Sequence, residues 1–148
     1  MEFGLSGRAR RRKCLIPNGI FLPERRAVGL TETVAKTAAG ALEYLPVAKV
    51  VNLNRLLEDL KERGIWIVGT SAQAKMPYSD WDWTIPSAIV LGGEGKGLHR
   101  LVEENCDALV KIPLSGKIES LNVSVAAGVI LYEARRQRDL KNKSKNEG

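Results

Sequence analysis

The sequence has 148 residues, is 44% hydrophobic and 27% charged, and carries a net charge of +6; that is enough chain for one domain with its own core, of ordinary soluble composition. No apolar run approaches the roughly 20 residues a membrane helix needs, and the charged N-terminus precedes no apolar block, so it does not read as a signal peptide. Cys14 and Cys106 form neither a disulfide framework nor a metal pattern, which points to a reducing, cytoplasmic setting and no metal site.

Much of the excess charge sits in two clusters, Arg8-Ala9-Arg10-Arg11-Arg12-Lys13 and Arg135 to Lys145. Such clusters suit a polyanion, because neutralising phosphates releases counterions; a solvated tail is the other reading. After the first cluster, Gly19 to Pro23 reads as a short buried strand ended by proline. Thr33 to Leu42 is helix-compatible, weakened by Gly40. Leu45 to Val51 suits a second strand. Asn52 is an N-cap for a helix with Leu53, Leu56, Leu57 and Leu60 on one face and Gly64 as its stop. Ile65 to Gly69 is a continuous apolar run, as in a strand covered on both faces.

A loop follows with Tyr78, Trp81 and Trp83, which can stack on RNA bases or anchor the loop to the core. Ala88 to Leu91 reads as a buried strand that runs into Gly92-Gly93-Glu94-Gly95-Lys96-Gly97. A short helix is expected over Leu98 to Glu104, with the sole histidine, His99, on the surface. A strand is expected over Ala108 to Ile112, then a helix from near Ser120 to about Arg138, and a disordered basic tail from Lys141 to Gly148. Strands alternating with helices argue for a single α/β domain with a mainly parallel sheet.

Two constellations can carry chemistry. Glycines between a strand and a helix let the backbone approach a ligand closely, and their N–H groups can hold a polar or anionic group. The turn after Leu91 is not a P-loop, because Lys96 precedes Gly97 rather than Ser or Thr, and the dinucleotide spacing G-x-G-x-x-G is absent. A generic tight turn would also explain it, but Glu94 amid glycines has little local structural use. The second is Ile112-Pro113-Leu114-Ser115-Gly116 followed by Ser120-Leu121-Asn122-Val123-Ser124. Ser120 can cap the helix; Asn122 and Ser124 then stand on an apolar helix and need partners if buried.

I-V-L-G-G-E-G-K-G-L at Ile89–Leu98 resembles the second motif of the SpoU-type RNA methyltransferases of the SPOUT (α/β-knot) superfamily. I-P-L-S-G-K-I-E-S-L-N-V-S-V-A-A-G-V-I-L-Y-E at Ile112–Glu133 resembles their third, and G-I-F-L-P-E-R-R-A-V-G-L-T extends the likeness upstream. The resemblance looks closest to the branch that modifies guanosine 2′-OH groups of 23S ribosomal RNA. It implies a parallel sheet with a deep C-terminal trefoil knot, S-adenosylmethionine as cofactor, and a homodimer with the last helix in its interface. By motif position Gly92, Ile112 and Leu121 would contact the cofactor, with Leu114 and Gly116 nearby, while Glu94, Ser120 and Asn122 would organise the catalytic site. No metal is implied.

The departure from the family pattern lies at the start. Relatives have an opening strand and an Asn…Gly…Arg motif whose arginine activates the ribose hydroxyl; here residues 1–18 form a divergent basic segment without that frame. Arg8, Arg10, Arg11 and Arg12 are present, but none takes the role by position. The expected organisation is a methyltransferase domain over residues 19–138, incomplete at its N-terminus, followed by the tail at 139–148. The expected activity is methyl transfer to a ribose 2′-OH of RNA, with ribosomal RNA favoured over transfer RNA. The alternative is a non-catalytic knotted module for RNA binding or dimerisation.

Overall fold

In the computed structural model, which describes residues 19–24, 47–92, 98–117 and 121–148, strands and helices alternate. Strand β1 (Ile20–Pro23) pairs in parallel with β2 (Val47–Val50). Helix α1 (Leu53–Glu62) leads to β3 (Trp66–Thr70), and the short β4 (Met76–Pro77) precedes a 3₁₀ turn at Tyr78–Asp80. Then come β5 (Ser87–Val90), α2 (Arg100–Glu104), β6 (Ala108–Lys111) and α3 (Val123–Asn146). The larger sheet has the order β4-β6-β3-β5 with every pairing parallel. The expected α/β class with parallel strands is borne out. The basic cluster Arg8–Lys13, Cys14, Arg25, Arg26, the helix expected at Thr33–Leu42, Glu94 and Ser120 lie outside the described residues.

Alternation along the strands assigns the two faces. Ile67, Ala88 and Val90 join Leu57 and Leu60 of α1 and Val102 of α2 in one apolar cluster, with Phe21 of β1 packed against it. Val68, Ile89, Leu91 and Val110 join Ala127, Ile130 and Ala134 of α3 in the other, around the fully buried Trp83. A sheet covered on both faces accounts for the continuous apolar strands in the sequence. Burying a leucine such as Leu57 contributes about 1.5–3 kcal/mol.

Helix α1 begins and ends where its sequence says. The Asn52 side chain accepts from Arg55 N–H at 3.1 Å, a cap worth about 1 kcal/mol. At the other end Gly64 takes φ +77°, donates to Lys61 O at 2.9 Å, and lets Ile65 N–H reach Leu60 O at 3.0 Å. Those are the paired bonds of a Schellman stop, which glycine adopts without steric penalty. Asp107 then sets where β6 joins β3: its Oδ2 accepts from Ile67 N–H at 2.7 Å and its own N–H donates to Ile67 O at 2.8 Å.

The last helix departs from expectation. It runs through Asn146 rather than ending near Arg138, so residues 141–146 are helical and not a disordered tail. No glycine or proline interrupts residues 129–147; Lys, Arg and Gln are good helix formers, and Arg135 pairs with Asp139 one turn on at 2.7 Å. Lys141 Nζ also donates to Thr84 Oγ1 at 2.8 Å, fixing the extension to the body of the protein. Among the described residues, no helix is long and apolar enough to cross a membrane.

Candidate active site

Three strand ends define the carboxyl edge of the larger sheet, the edge where parallel sheets bind ligands. Val90 of β5 and Leu109 of β6 are both partners of Gly69 in β3. Gly92 therefore lies two residues past that level on one side and Ile112 three past it on the other, about 7 and 10 Å at strand rise. Between them the chain leaves β3 through Thr70 and Ser71. Thr70 Oγ1 donates to Val90 O at 3.5 Å and Ser71 N–H to Val110 O at 3.0 Å, tying the turn to both neighbouring strands. Leu91, Ile112 and Val123 belong to one apolar cluster, which brings the start of α3 to the same edge.

The structure thus gathers Gly92, Ile112 and the Leu121–Asn122 entry to α3. Gly92, Ile112 and Leu121 are half-buried, whereas Leu114 and Gly116 stand exposed. Gly116 has φ +82°, a left-handed conformation that a side chain would strain. Glu94 and Ser120 lie outside the described residues. The turn at Thr70–Ala74 belongs to the site by position, although its residues carry no motif; the signal available was its place at the end of a central parallel strand.

Asn122 and Ser124 need correction. Both are exposed, so neither needs a buried partner, and only Ser124 lies within the helix. Asn122 is itself the N-cap of α3: its Oδ1 accepts from Ser124 N–H at 2.8 Å, with φ −53° and ψ 139°. The helix starts at Val123, so the cap falls to Asn122 rather than Ser120. Its carbonyl side is therefore occupied in holding the helix start at Val123, which packs against the same apolar cluster as Ile112.

The residues present fit S-adenosylmethionine in kind. A purine needs an apolar slot and main-chain donors and acceptors. Ile112 and Leu121 supply half-buried apolar surface, and 112–117 lies outside helix and strand, so its peptide groups are not committed to a ladder. Glycine at 92 and 116 allows close approach.

Close packing supports this edge from beneath. A Cβ on Gly69 would come within 2.7 Å of Cys106 Sγ and of Leu98 Cδ1, and within 2.9 Å of Leu109 Cδ2. Leu98 is the residue next in sequence after Gly92-Gly93-Glu94-Gly95-Lys96-Gly97, so Gly69 packs against the point where the described chain resumes. Burial pushes the Cys106 thiol up to about 11. His99 is exposed at the N-cap of α2, as expected of a surface residue.

The aromatic loop is anchored rather than open. Trp83 is buried, its indole N–H donates to Tyr78 O at 2.7 Å, and Tyr78 and Trp81 pack against the same cluster. From α3, Gln137 Nε2 donates to the carbonyls of Ser79 (3.2 Å) and Trp81 (3.1 Å), and Arg138 Nε donates to Trp83 O at 2.9 Å. Burial lowers the Arg138 pKa. Glu133, buried on the same helix, takes two 2.8 Å bonds from Arg136 and one from Gln137. The Arg136 hydrogen bonds hold the Glu133 carboxyl below its usual value. This carboxylate has a structural partner set, and the fold uses it to orient Gln137.

Comparison with known proteins agrees with this geometry. Residues 5–132 match the SpoU rRNA Methylase family, and the chain belongs to it. It is 57% identical over 122 residues to YacO of Bacillus subtilis, whose name places it among TrmH-family tRNA/rRNA methyltransferases, covering 82% of this chain and 49% of that one. It is 48% identical over 124 residues to RlmB of Pseudomonas syringae, named a 23S rRNA (guanosine-2′-O-)-methyltransferase, covering 84% of this chain and 50% of that one. The chain spans about half the length of these relatives. Among solved structures, the SpoU methyltransferase AviRb of Streptomyces viridochromogenes in complex with AdoMet superposes with a TM-score of 0.77 at 30% identity, covering 85% of this chain and 52% of that one.

Proposed function

We propose that this chain carries the cofactor-binding site of an enzyme that transfers a methyl group from S-adenosylmethionine to a ribose 2′-OH of RNA. Ribosomal RNA is favoured over transfer RNA, following the name carried by RlmB. The observation that carries the reading is that Gly92 and Ile112 follow the two strands flanking β3 at one sheet edge, where α3 enters through Val123, in a member of this family. When bound, the cofactor supplies an electrophilic methyl on a sulfonium. The chain's part is to hold the adenosine through the peptide groups of 112–117 and the apolar faces of Ile112 and Leu121, and to orient the incoming hydroxyl. Glu94, Ser120 and Asn122 are the residues expected to organise that hydroxyl; Asn122 does so through the helix start it caps.

The reading includes a trefoil knot formed by the C-terminal segment and a homodimer. For the dimer, Val125, Tyr132 and Leu140 are exposed on α3 away from the buried Ala127, Ile130 and Ala134. Among the described residues no strand joins β1 to β5, and the sheets β1-β2 and β4-β6-β3-β5 stay separate.

The test is calorimetric titration of the chain with S-adenosylhomocysteine. One-site binding that Gly92→Trp abolishes is expected; no binding by a folded chain overturns the reading. Labelled-methyl transfer to ribosomal RNA then separates an enzyme from a module that binds but does not turn over.

A further inference from the structure

One tryptophan at the opposite, amino-terminal end of the sheet is unusually open. Trp66 begins β3 and is 48% exposed, whereas Ile67 and Val68 beside it are fully buried. Its ring meets Trp81 edge-on at 6.0 Å, and Trp81 meets Trp83 edge-on at 6.4 Å. Trp81 is fixed in turn by an indole N–H bond to Ser87 Oγ at 3.3 Å. An indole held this way presents a rigid flat surface at small entropic cost, the property that makes aromatic side chains stacking platforms for nucleobases.

The same end is basic. Trp66 N–H donates to Pro86 O at 3.0 Å, and Thr84, two residues earlier, accepts from Lys141 Nζ at 2.8 Å. Helix α3 thus passes beside the aromatic column and continues with the exposed Lys143 and Lys145. Between residues 135 and 147 six cations stand against two carboxylates. Arg135 is paired with Asp139 and Arg136 with Glu133, so the lysines supply the charge that faces water.

We propose that Trp66, Lys141 and Lys145, the two lysines one turn apart on the same face of α3, form a second RNA contact, in which an unpaired base stacks on Trp66 and the neighbouring phosphates lie along the end of α3. The proposal rests on RNA being the substrate. Lys141 lies about 28 Å along the helix from Asn122, so this contact grips nucleotides well away from the modified ribose. Stacking accepts any base, and the phosphates contribute affinity without sequence preference. A protein partner would cover Trp66 with apolar surface, whereas lysines beside it favour a polyanion.

The experiment is fluorescence anisotropy of a labelled short single-stranded RNA with the full 148-residue chain over a range of salt, alongside S-adenosylhomocysteine titration. Trp66→Ala is expected to weaken RNA binding about ten- to a hundredfold, with Trp66→Phe restoring most of it. Replacing Lys141 and Lys145 by alanine is expected to make log affinity against log salt shallower by about one and a half units of slope. Thermal melts show whether each variant is folded, and cofactor-analogue binding stays as in the parent chain. RNA affinity and salt slope unchanged in folded variants overturn the second contact and leave the methyltransferase reading in place. So does a Trp66→Ala chain that alters only self-association, which makes the patch a protein contact. RNA binding that needs Trp66, in a chain that does not bind the cofactor analogue, upholds the contact and removes the methyltransferase reading instead.

Discussion

Trp83 and Gln137, 54 residues apart, are joined by a main-chain N–H bond from Trp83 to Gln137 Oε1 at 2.9 Å. The same amide turns its nitrogen to Ser79 O, Trp81 O and Glu133 Oε1. One side chain therefore closes the aromatic loop against the last helix from both ends.

Gln137→Ala is expected to destabilise the protein by about 1–3 kcal/mol, because it strands a part-buried N–H and two carbonyls. Gln137→Glu should be worse, since it sets an oxygen against those carbonyls and against Glu133. Urea unfolding measures both; an unchanged midpoint for the alanine variant would show that the loop holds without the clamp.

Glu133 makes stability depend on acid. Its folded pKa lies below the usual 4.5 because Arg136 and Gln137 hydrogen-bond the carboxylate. A depressed carboxyl binds fewer protons folded than unfolded, so its contribution is complete above about 4.5 and is lost as pH falls through the folded value. The stability gap between the parent and Glu133→Gln should be widest near neutrality and close below pH 4.5. A gap constant with pH would mean that packing, not charge, is what the glutamine variant loses.

Cys106 acts at the other end of the scale. Burial raises its thiol from 9.0 to about 11, so the folded state keeps the proton that the unfolded chain releases. Its contribution is complete below 9.0 and declines as pH rises to about 11. Comparing the parent with Cys106→Ala between those limits should show the decline in the parent alone. In a Cys14→Ser background, a thiol reagent at neutral pH should label the half-buried Cys106 more slowly in the folded chain than in urea; equal rates would refute the protection.

Gly69→Ala is expected to cost about 1–3 kcal/mol, as an overpacked core does. Removing the sulfur in Gly69→Ala/Cys106→Ala should recover part of the loss, while Leu98 and Leu109 still crowd the methyl. Because Leu98 follows the glycine-rich turn, binding of S-adenosylhomocysteine should weaken in the single variant more than its melting temperature alone explains. Equal stability of single and double variants would mean that the sulfur is not the obstacle.

Sequence was a good guide where short-range physics decides. Asn52, the leucines at 53, 56, 57 and 60, and Gly64 delimit α1 because cap, apolar face and left-handed stop all act within a few residues. Gly92, Ile112 and Leu121 were legible as a group only through the family motifs, since the register that sets Gly92 against Ile112 runs through β3. The end of α3 was not legible: its anchors on Thr84, Trp83 and Trp81 lie 55 or more residues away. The cap at Asn122 was missed for a smaller reason, because Ser120 and Asn122 are both good caps and nothing nearby separates them.

The reach of α3 also bears on where this protein can be cut. The segment matched to the family is residues 5–132, yet Gln137, Arg138 and Lys141, which clamp the loop around Trp83, come after it. The matched segment and the unit these bonds hold together therefore have different borders. A fragment trimmed to the first would leave its central tryptophan without its fastening, and transplanting this domain into another protein calls for the longer boundary.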